Sequence, residues 1–381
     1  MKAVVIGDAN SVYIKDHIKD VCKDTFSEII LLSGSNVDDS FYSDLGVTLV
    51  NTEPWKKDSG SSETISIEEK TYLWDSICSK IDDIDVLQVH FCAGGSHMYC
   101  YKKLASKSVK KYMVYWGSDL MRADQKNIDL NLEAIRMSDK VICLTKSLEI
   151  SLKDRYKDID INKVRVLDFG VVYEDIELMS TQLSNADCKI SCGFPTDRLS
   201  VMIGYNGAVQ QQHIKVLEAL SKMENSVKDR LFLFFPMSYG RNAEYRTEVE
   251  NEAKRSGIPY QFIDSFLTRE QLVKMRLATD IFIHSQLTDA LSGSLCEVLF
   301  AGASVINPGW IFYPELKEKG IEYFEYERFE EILSLIDKSI LQIDENKKQD
   351  ILEIRRKMKE INDRNAMIGL WKKLFNTGSI D

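Results

Sequence analysis

The sequence lacks any uninterrupted apolar stretch of about 18 residues, the length that a membrane-spanning helix requires. It also lacks the spacing of a structural zinc site, because Cys188 and Cys192 in CKISCG have no second pair or nearby histidine. Most of its 8 cysteines lie in apolar runs, where reduced and buried thiols are usual. We therefore predict a protein with no membrane span, no bound metal and no disulfide framework.

An excess of positive charge is missing too. With 49 Lys and Arg against 59 Asp and Glu, the net charge of −10 argues against a nucleic-acid partner. One segment, YKKLASKSVKK, departs from this balance and contains Lys102, Lys103, Lys107, Lys110 and Lys111. Two interpretations of this segment remain open: the solvated face of a surface helix, or peripheral contact with anionic lipid headgroups.

The N-terminal stretch MKAVVIGDANSVYIK lacks the longer apolar region and the small-residue cleavage site of a secretory signal. It predicts a first β-strand instead. Together with the apolar setting of the cysteines, this predicts a cytoplasmic protein. The inner face of the cell membrane is where the lysine segment would then act.

Strand-length apolar runs alternate with helical patterns over most of the chain, as in LFLFFP and then EYRTEVENEAKRSG. Continuous apolar runs are typical of parallel strands that helices cover on both faces. The βαβα order therefore predicts an α/β fold with two doubly wound, Rossmann-like domains that face each other across a cleft. We place these domains at 1–173 and 174–361, because 173–199 is the least regular segment. We expect a helix at 362–381 to complete the first domain.

In the first domain, polar and glycine residues follow three predicted strands. His90 ends VLQVH, Trp116 ends VYW, and Asp119 comes three residues after this tryptophan. An aspartate at the carboxyl end of a strand is placed to contact sugar hydroxyls, and capping of the next helix is the alternative. The same turns contain the other candidate residues of this domain, which are Asn10, Ser11, Gly94, Gly95 and Ser118. The G-x-G-x-x-G pattern of dinucleotide-binding folds is missing, which argues against a dehydrogenase.

In the second domain, the turn in IGYNGAVQQQHI offers Asn206 and Gly207 before a helix that begins near His213. A histidine at such a helix start faces the cleft and donates to a phosphate in one interpretation, and is a surface or cap residue in the other. The turn in PMSYGRN adds Tyr239 and Arg241. The forked guanidinium matches phosphate oxygens, and an ordinary exposed arginine is the alternative.

The segment SQLTDALSGSLCEVLFAG combines a strand end, a loop and the start of a helix. Ser285 ends the strand, and the residues that open the helix are Ser292, Gly293 and Ser294. Their free N–H groups and the helix dipole favour an anion. Two carboxylates flank them: Asp289 on the loop and Glu297 about one turn into the helix. We predict a site that holds a phosphorylated and hydroxylated ligand.

These segments resemble the GT-B glycosyltransferases, and the second half resembles the large retaining group that carries an acid, seven residues and a glutamate. Here that motif runs from Asp289 to Glu297 and is followed by AGASVI, similar to the group's turn into its next strand. The order of the segments MSDKVICLTKSLEISLKDRY, KVRVLDFGV and FIDSFLTREQLVKMRLATDIFIHS is also similar. The resemblance covers most of residues 85 to 310.

The resemblance implies a role for each part of this segment. Glu297 would bind the donor ribose, and the N–H groups around Gly293 and Ser294 would hold the diphosphate. Asp289 would face the donor sugar. Replacement of Glu297 by alanine is then expected to weaken donor binding and to leave the fold intact.

The resemblance also implies how the base and the leaving group are bound. The backbone near Phe262 and Ile263 would read the base. His213 and Arg241 are the candidates that would stabilise the charge of the leaving diphosphate. GT-B enzymes generally do this without a metal, so we expect no cofactor.

Four positions depart from the family pattern. Asp289 replaces the usual glutamate, and Tyr205 stands where an arginine is expected. A Gln-Gln-His run stands where a lysine is expected, and Trp116 replaces the strand-end histidine. In GYNGAVQQQHI and PMSYGRNAEY the chain is more similar to bacterial transferases that move acetamido-fucose onto lipid-linked glycans, which are inverting.

The resemblance implies transfer of a sugar from a nucleotide-diphosphate sugar, of UDP or dTDP type, to a hydroxyl acceptor such as a lipid-linked or surface-polysaccharide glycan. A retaining reaction is favoured, and an inverting one would require a base, for which Asp119 and His90 are the candidates. Two alternatives remain. A non-catalytic GT-B partner of another transferase would show no affinity for nucleotide diphosphate, whereas a nucleotide-sugar epimerase would act on the donor alone.

Overall fold

The computed structural model describes residues 1–36, 39–55, 65–240, 242–345 and 350–380. Their contacts divide the chain into two compact units. The first unit contains Met1–Gly170 and the chain from Arg364 onward, and the second contains Val171–Asp363. The second unit is therefore continuous in sequence, whereas the first unit is built from two separate parts of the chain.

The core of the first unit is a parallel sheet whose strands contain apolar runs such as IILL, buried on both faces. Its strands are β1 (Lys2–Ile6), β2 (Glu28–Ser33), β3 (Val47–Asn51), β4 (Ile84–His90), β5 (Ser108–Tyr115), β6 (Lys140–Cys143) and β7 (Val164–Val166). Within the described residues this sheet has seven strands in the order β3-β2-β1-β4-β5-β6-β7. Every predicted strand of the first half is present.

Helices connect these parallel strands, and local signals set several of their starts. They are α1 (Val12–His17), α2 (Ser40–Asp44), α3 (Ile67–Ser79), α4 (Gly95–Ala105), α5 (Ser118–Met121), α6 (Gln125–Met137) and α7 (Lys146–Arg155). The side chains of Ser66 and Glu69 form a reciprocal capping box at the start of α3. The side chain of Asp124 accepts the Asn127 N–H at the start of α6.

The second unit contains another parallel sheet. Its strands are β8 (Leu199–Ile203), β9 (Leu231–Pro236), β10 (Tyr260–Ile263), β11 (Ile281–Ile283), β12 (Ser304–Pro308) and β13 (Phe324–Tyr326). In the described part of the chain this sheet has six strands in the order β10-β9-β8-β11-β12-β13. The last strand was not predicted, because its sequence FEY includes an exposed glutamate and lies among charged residues.

The helices of the second unit include two in the segment 173–199, where the prediction of an irregular segment is wrong. They are α8 (Glu174–Gln182), α9 (Asn185–Cys192), α10 (His213–Ser221), α11 (Asn225–Lys228), α12 (Ala243–Ser256), α13 (Arg269–Leu277), α14 (Gly293–Ala301), α15 (Pro314–Glu318), α16 (Glu331–Asp344) and α17 (Ile351–Asn362). Both α8 and α9 are short and bury few side chains, so their helical periodicity is weak. Among the described residues, no helix is long and apolar enough to cross a membrane.

The final helix, α18 (Arg364–Thr377), returns to the first unit. Its side chains Trp371, Leu374 and Phe375 are buried in the core formed by β1, β2 and α1. The indole Nε1 of Trp371 donates to the carbonyl of Asp168 at 2.9 Å. Its ring stacks on Phe169 with centroids 5.9 Å apart. The apolar stretch MIGLWKKLF therefore contributes directly to the core of the first unit.

We predict that Trp371→Ala lowers the free energy of unfolding of the first unit by about 3 kcal/mol, because it leaves a cavity and removes the indole donor to the Asp168 carbonyl. Urea denaturation followed by tryptophan fluorescence measures the loss. Trp310→Ala is the matched control, since Trp310 is 41% exposed in the second unit. Equal losses for the two variants would contradict the assignment of α18 to the core of the first unit.

Candidate functional site

Two neighbouring loops form the carboxyl edge at the centre of the second sheet. Since β8 lies between β9 and β11, the strand order reverses there, and ligands of doubly wound folds bind outside such a switch point. The turn after β8 starts at Gly204, whose N–H donates to Ile283 at 3.1 Å. Gly204 has φ +61°, and a Cβ there would lie 2.8 Å from Nε2 of His213, so the turn requires glycine.

The N-terminus of α14 lies in the second of these loops. Leu291 adopts a left-handed conformation with φ +58°, which is uncommon for a leucine. Ser292 caps the helix, because its hydroxyl accepts the Leu295 N–H at 3.4 Å. Among the residues that the structure describes, neither Gly293 nor Ser294 donates its N–H to an acceptor. The helix start therefore presents two free donors.

Asp289 is buried at 7% exposure and is held by the protein itself. Its Oδ1 accepts the hydroxyl of Tyr205 at 2.8 Å, and its Oδ2 accepts the hydroxyl of Tyr313 at 2.7 Å. Oδ2 also accepts the Ser292 N–H at 3.0 Å. Burial raises the pKa of both tyrosines well above the usual value, so both hydroxyls stay protonated and donate. Asp289 thus anchors the loop before α14, and its contact with a donor sugar stays a prediction.

Glu297 is bound by two arginines. Its Oε2 accepts Nε of Arg276 at 3.0 Å, and its Oε1 accepts Nη1 of Arg269. Arg276 also donates from Nη2 to the hydroxyl of Ser294 at 2.9 Å. One buried guanidinium therefore connects the predicted ribose acid to the predicted phosphate cradle.

Sequence reasoning missed both arginines. They lie seven residues apart in the segment TREQLVKMRLATD, and residues at i and i+7 share one face of a helix. That spacing was the available signal. The spacing alone does not identify the site, because the sequence around α13 does not indicate that this face of the helix contacts Glu297 on α14.

We predict that Glu297→Ala destabilises the second unit by about 3 kcal/mol, because it leaves the charge of the buried Arg276 unpaired. This revises the expectation that the substitution leaves the fold intact. Chemical denaturation measures the change. Glu250→Ala is the matched control. Like Glu297, Glu250 has two cationic partners, here an arginine and a lysine, but its side chain is 37% exposed, so little change in stability is expected. A stable Glu297→Ala protein would contradict the buried ion pair.

His213 is fully buried, so the expectation that it faces the cleft is wrong. The Tyr245 hydroxyl lies 3.2 Å from both its backbone nitrogen and its Nδ1, which draws the ring inward. Burial lowers the pKa of His213 to about 3, so the ring is neutral at pH 7. Ser285 is buried as well, with its hydroxyl on the carbonyl of Gln211. A role for either side chain in donor binding stays a prediction.

The other predicted donor residues differ in accessibility. Asn206 is nearly buried, and its Oδ1 accepts the Ala208 N–H at 2.9 Å. Gly207 donates its N–H to the carbonyl of Tyr239 at 2.9 Å. Tyr239 itself is 47% exposed and is the accessible side chain of this turn. Arg241 lies outside the described residues.

The predicted base-reading residues lie on β10, an edge strand of the second sheet. The Phe262 ring stacks on Phe235 with centroids 4.7 Å apart, and the Arg246 guanidinium lies 3.3 Å from its centroid. The carbonyl of Ile263 accepts the Met237 N–H at 2.8 Å. These contacts fix the end of β10, and its contact with a base stays a prediction.

In the first unit, Asp119 holds two loops together. Its Oδ1 accepts the N–H groups of Trp116 and Gly117 at 3.0 and 2.8 Å, and its Oδ2 accepts the Cys92 N–H at 2.8 Å. Asp119 is 3% exposed, and burial raises its pKa. The Trp116 ring packs edge-on against Phe169 with centroids 5.5 Å apart. Asp119 itself lies within α5, whose start has no side-chain cap, so the capping interpretation is wrong, and contact with sugar hydroxyls stays a prediction.

His90 lies in the core and shares a hydrogen-bond partner with His17. The Nε2 atoms of the two rings lie 2.9 and 3.0 Å from Oε1 of Gln88. Since one amide oxygen accepts from both, we assign the proton of each neutral ring to Nε2. Burial lowers the pKa of His17 to about 4 and that of His90 well below its usual value. His90 has no exposed surface from which it could reach a substrate as a catalytic base.

We predict that the protein loses stability as the pH falls from about 6.5 to about 4, by roughly 3 kcal/mol from His17 alone. The sign follows because a buried neutral histidine takes up its proton more readily in the unfolded chain, so acid favours unfolding. Denaturation midpoints across this pH range measure the effect. The variant His17→Gln keeps a donor for Gln88 and should show a weaker pH dependence; an identical dependence would contradict the role of His17.

The remaining acceptor-side candidates lie at helix starts. Ser11 precedes α1, and Ser118 begins α5. Gly94 precedes α4 with φ +90°, and Gly95 is its first residue. Asn10 is exposed and donates its N–H to Asp8 Oδ1 at 2.9 Å. The role of these residues at an acceptor site stays a prediction.

The five lysines do not share one helix, so their interpretation as a helix face is wrong. Lys102 and Lys103 lie on α4, whereas Lys110 and Lys111 lie on β5. Four of them pair with carboxylates, in the pairs Lys102–Glu133, Lys103–Asp75, Lys107–Asp82 and Lys111–Asp139. Lys110 donates to the carbonyl of Phe375 at 2.6 Å. Four of the five lysines therefore have a carboxylate partner of their own, and contact with anionic headgroups stays a prediction.

No protein-family model matches the chain, and no curated protein matches it. Solved structures match over its whole length. A glycosyltransferase from Rickettsia africae ESF-5 has a TM-score of 0.72 at 15% identity, over 99% of each chain. HepE from Anabaena, in complex with UDP and glucose, has a TM-score of 0.69 at 14% identity, over 99% of this chain and 100% of HepE. Sucrose-phosphate synthase from Thermosynechococcus elongatus has a TM-score of 0.71 at 10% identity, over 99% and 98% of the two chains.

At these identities the likeness shows the fold. The predicted α/β class of GT-B type, with two Rossmann-like parallel sheets, is confirmed. The resemblance stated from the segment order is therefore correct for the architecture of the whole chain. It extends beyond the residues 85 to 310 on which the sequence comparison rested, because the matched structures cover 99% of the chain.

Proposed function

We propose that the protein transfers a sugar from a nucleotide-diphosphate sugar to a hydroxyl group of an acceptor. The observation that carries this proposal is the likeness of the whole chain to Anabaena HepE, solved with UDP and glucose, with UDP-glucose and with UDP. The match covers 99% of this chain, so it includes both units. The proposed donor is accordingly of UDP type.

The N-terminus of α14 supports a diphosphate site in the second unit. Gly293 and Ser294 start a helix of nine residues, and the positive end of the helix dipole favours a phosphate there. The charge on the leaving diphosphate is the largest demand of the reaction. We propose that free N–H groups meet this demand without a metal, as the resemblance implies.

The proposal includes a retaining reaction on a glycan acceptor. In such a reaction the departing phosphate takes the acceptor proton, so that no enzymatic base is needed. The burial of the two base candidates supports this choice, since Asp119 is 3% and His90 0% exposed. A lipid-linked or surface-polysaccharide glycan is the proposed acceptor class, because GYNGAVQQQHI is similar to transferases that act on lipid-linked glycans.

A non-catalytic partner of another transferase is the second candidate. The observation that favours it is the internal use of every predicted carboxylate: Asp289 binds two tyrosines, Glu297 two arginines and Asp119 three backbone N–H groups. Nucleotide affinity separates the candidates, because the partner would bind no UDP. An epimerase of the same fold would act on the donor without any acceptor.

We predict that Gly293→Pro weakens UDP binding about tenfold, because it removes one donor to a charged phosphate. Proline is compatible with the first position of a helix, and the preceding Ser292 has φ −59° and ψ 145°, which proline also permits. Isothermal titration calorimetry with UDP measures the change.

Gly293→Ala is the matched control for this experiment. It retains the N–H, and its Cβ would lie 4.0 Å from the nearest neighbouring atom, a methyl group of Val171. Its UDP affinity should equal that of the wild type. Uridine, which has no phosphate, should bind all three proteins equally. Equal UDP affinity of the proline and alanine variants would contradict a diphosphate at this helix start.

A further inference from the structure

The two arginines on Glu297 differ in their access to solvent. The Arg276 side chain is 4% exposed, whereas the Arg269 side chain is 36% exposed. The Glu297 side chain between them is 10% exposed. A ligand that comes from solvent therefore meets Arg269 before it reaches the carboxylate.

Arg276 is fixed in the interior by three different partners. It contacts Glu297 through Nε, the Ser294 hydroxyl through Nη2 and the Met202 sulfur through Nη1. Removal of this side chain would disturb the acid, the helix start and the core together. Arg276 is therefore a positioning residue for Glu297, and it compensates the carboxylate charge whether or not Arg269 is in place.

Arg269 is held from the other side by the first residues of the second unit. Its Nε donates to Asp175 Oδ2 at 3.1 Å, and its Nη2 donates to the carbonyl of Val172 at 2.6 Å. Only Nη1 of Arg269 donates to Glu297. The guanidinium can therefore release Glu297 and keep two of its three contacts.

These contacts bear on the proposed function, on which the following inference rests. A ribose hydroxyl that binds Glu297 from the solvent side needs a free acceptor position, and Oε1 is the oxygen that the more exposed arginine, Arg269, occupies. We propose that Arg269 competes with the nucleotide for Glu297, and that donor binding replaces the Arg269–Glu297 contact by a ribose hydroxyl. The exchange makes Arg269 a gate on the donor site and favours nucleotides with an intact ribose diol.

The test compares UDP with dUDP, which lacks the 2′-hydroxyl, by isothermal titration calorimetry on the full chain. Arg269→Gln removes the competing guanidinium, so its affinity for UDP should rise about fivefold above that of the wild type. For dUDP the gain should fall to less than about twofold, because the 2′-hydroxyl that would take the freed position on Oε1 is missing. Arg269→Lys retains the charge but not the fork of donors, and should show a smaller gain.

Arg255→Gln is the matched control for loss of one positive charge, since Arg255 is 70% exposed and pairs only with Glu252 among the described residues. Its UDP affinity should be unchanged. Unfolding midpoints of all variants verify that each protein is folded.

The outcomes separate the gate from the proposed function. If the wild type binds UDP and both Arg269 variants bind it equally or more weakly, the gate is refuted and the proposed function stands. If neither the wild type nor the variants bind UDP, both fail. If UDP binds measurably only after Arg269 is replaced, the gate is supported in its strongest form.

Discussion

Parallel strand pairing is the constraint on which the rest of the molecule depends. Every strand pair in the described residues is parallel, so each connection must cross over and the carboxyl ends of the strands collect at one edge of each sheet. The functional candidates follow from this geometry, since the turn after β8 and the loop after β11 meet at the centre of the second sheet. The constraint also explains the sequence, because strands covered on both faces must be apolar throughout.

This relation between pattern and architecture made the fold predictable from the sequence. Twelve of the strands lie in mostly apolar runs, and only the edge strand β13 was missed, because its three residues include an exposed glutamate and lie among charged residues. The irregular reading of 173–199 failed for a similar reason: α8 and α9 are short and largely exposed. Elements that bury a whole face are recognisable from the apolar pattern of the sequence. Short and exposed elements have no such pattern, and their formation depends on contacts that the sequence alone does not reveal.

The candidate site was predictable in its positions but not in its interactions. The loop with Asp289 and the helix start at Gly293 were found from their place after a strand. The partners of the two acids were not found, because Tyr205, Tyr313 and Arg276 reach them from distant parts of the chain. A carboxylate with little exposure must find such partners within the protein, since water is not available to it. The same requirement explains why Asp119 is bound by backbone N–H groups.

The return of α18 to the first unit has a consequence for the order of events during synthesis. Residues 1–170 leave the ribosome first, yet the core that Trp371 and Phe375 complete remains open until the last helix has been made. The second unit is continuous in sequence and can fold earlier. The first unit cannot cover its apolar surface until α18 has been synthesised. A chaperone that acts on the nascent chain would therefore find its substrate in the N-terminal half, although that half is made first.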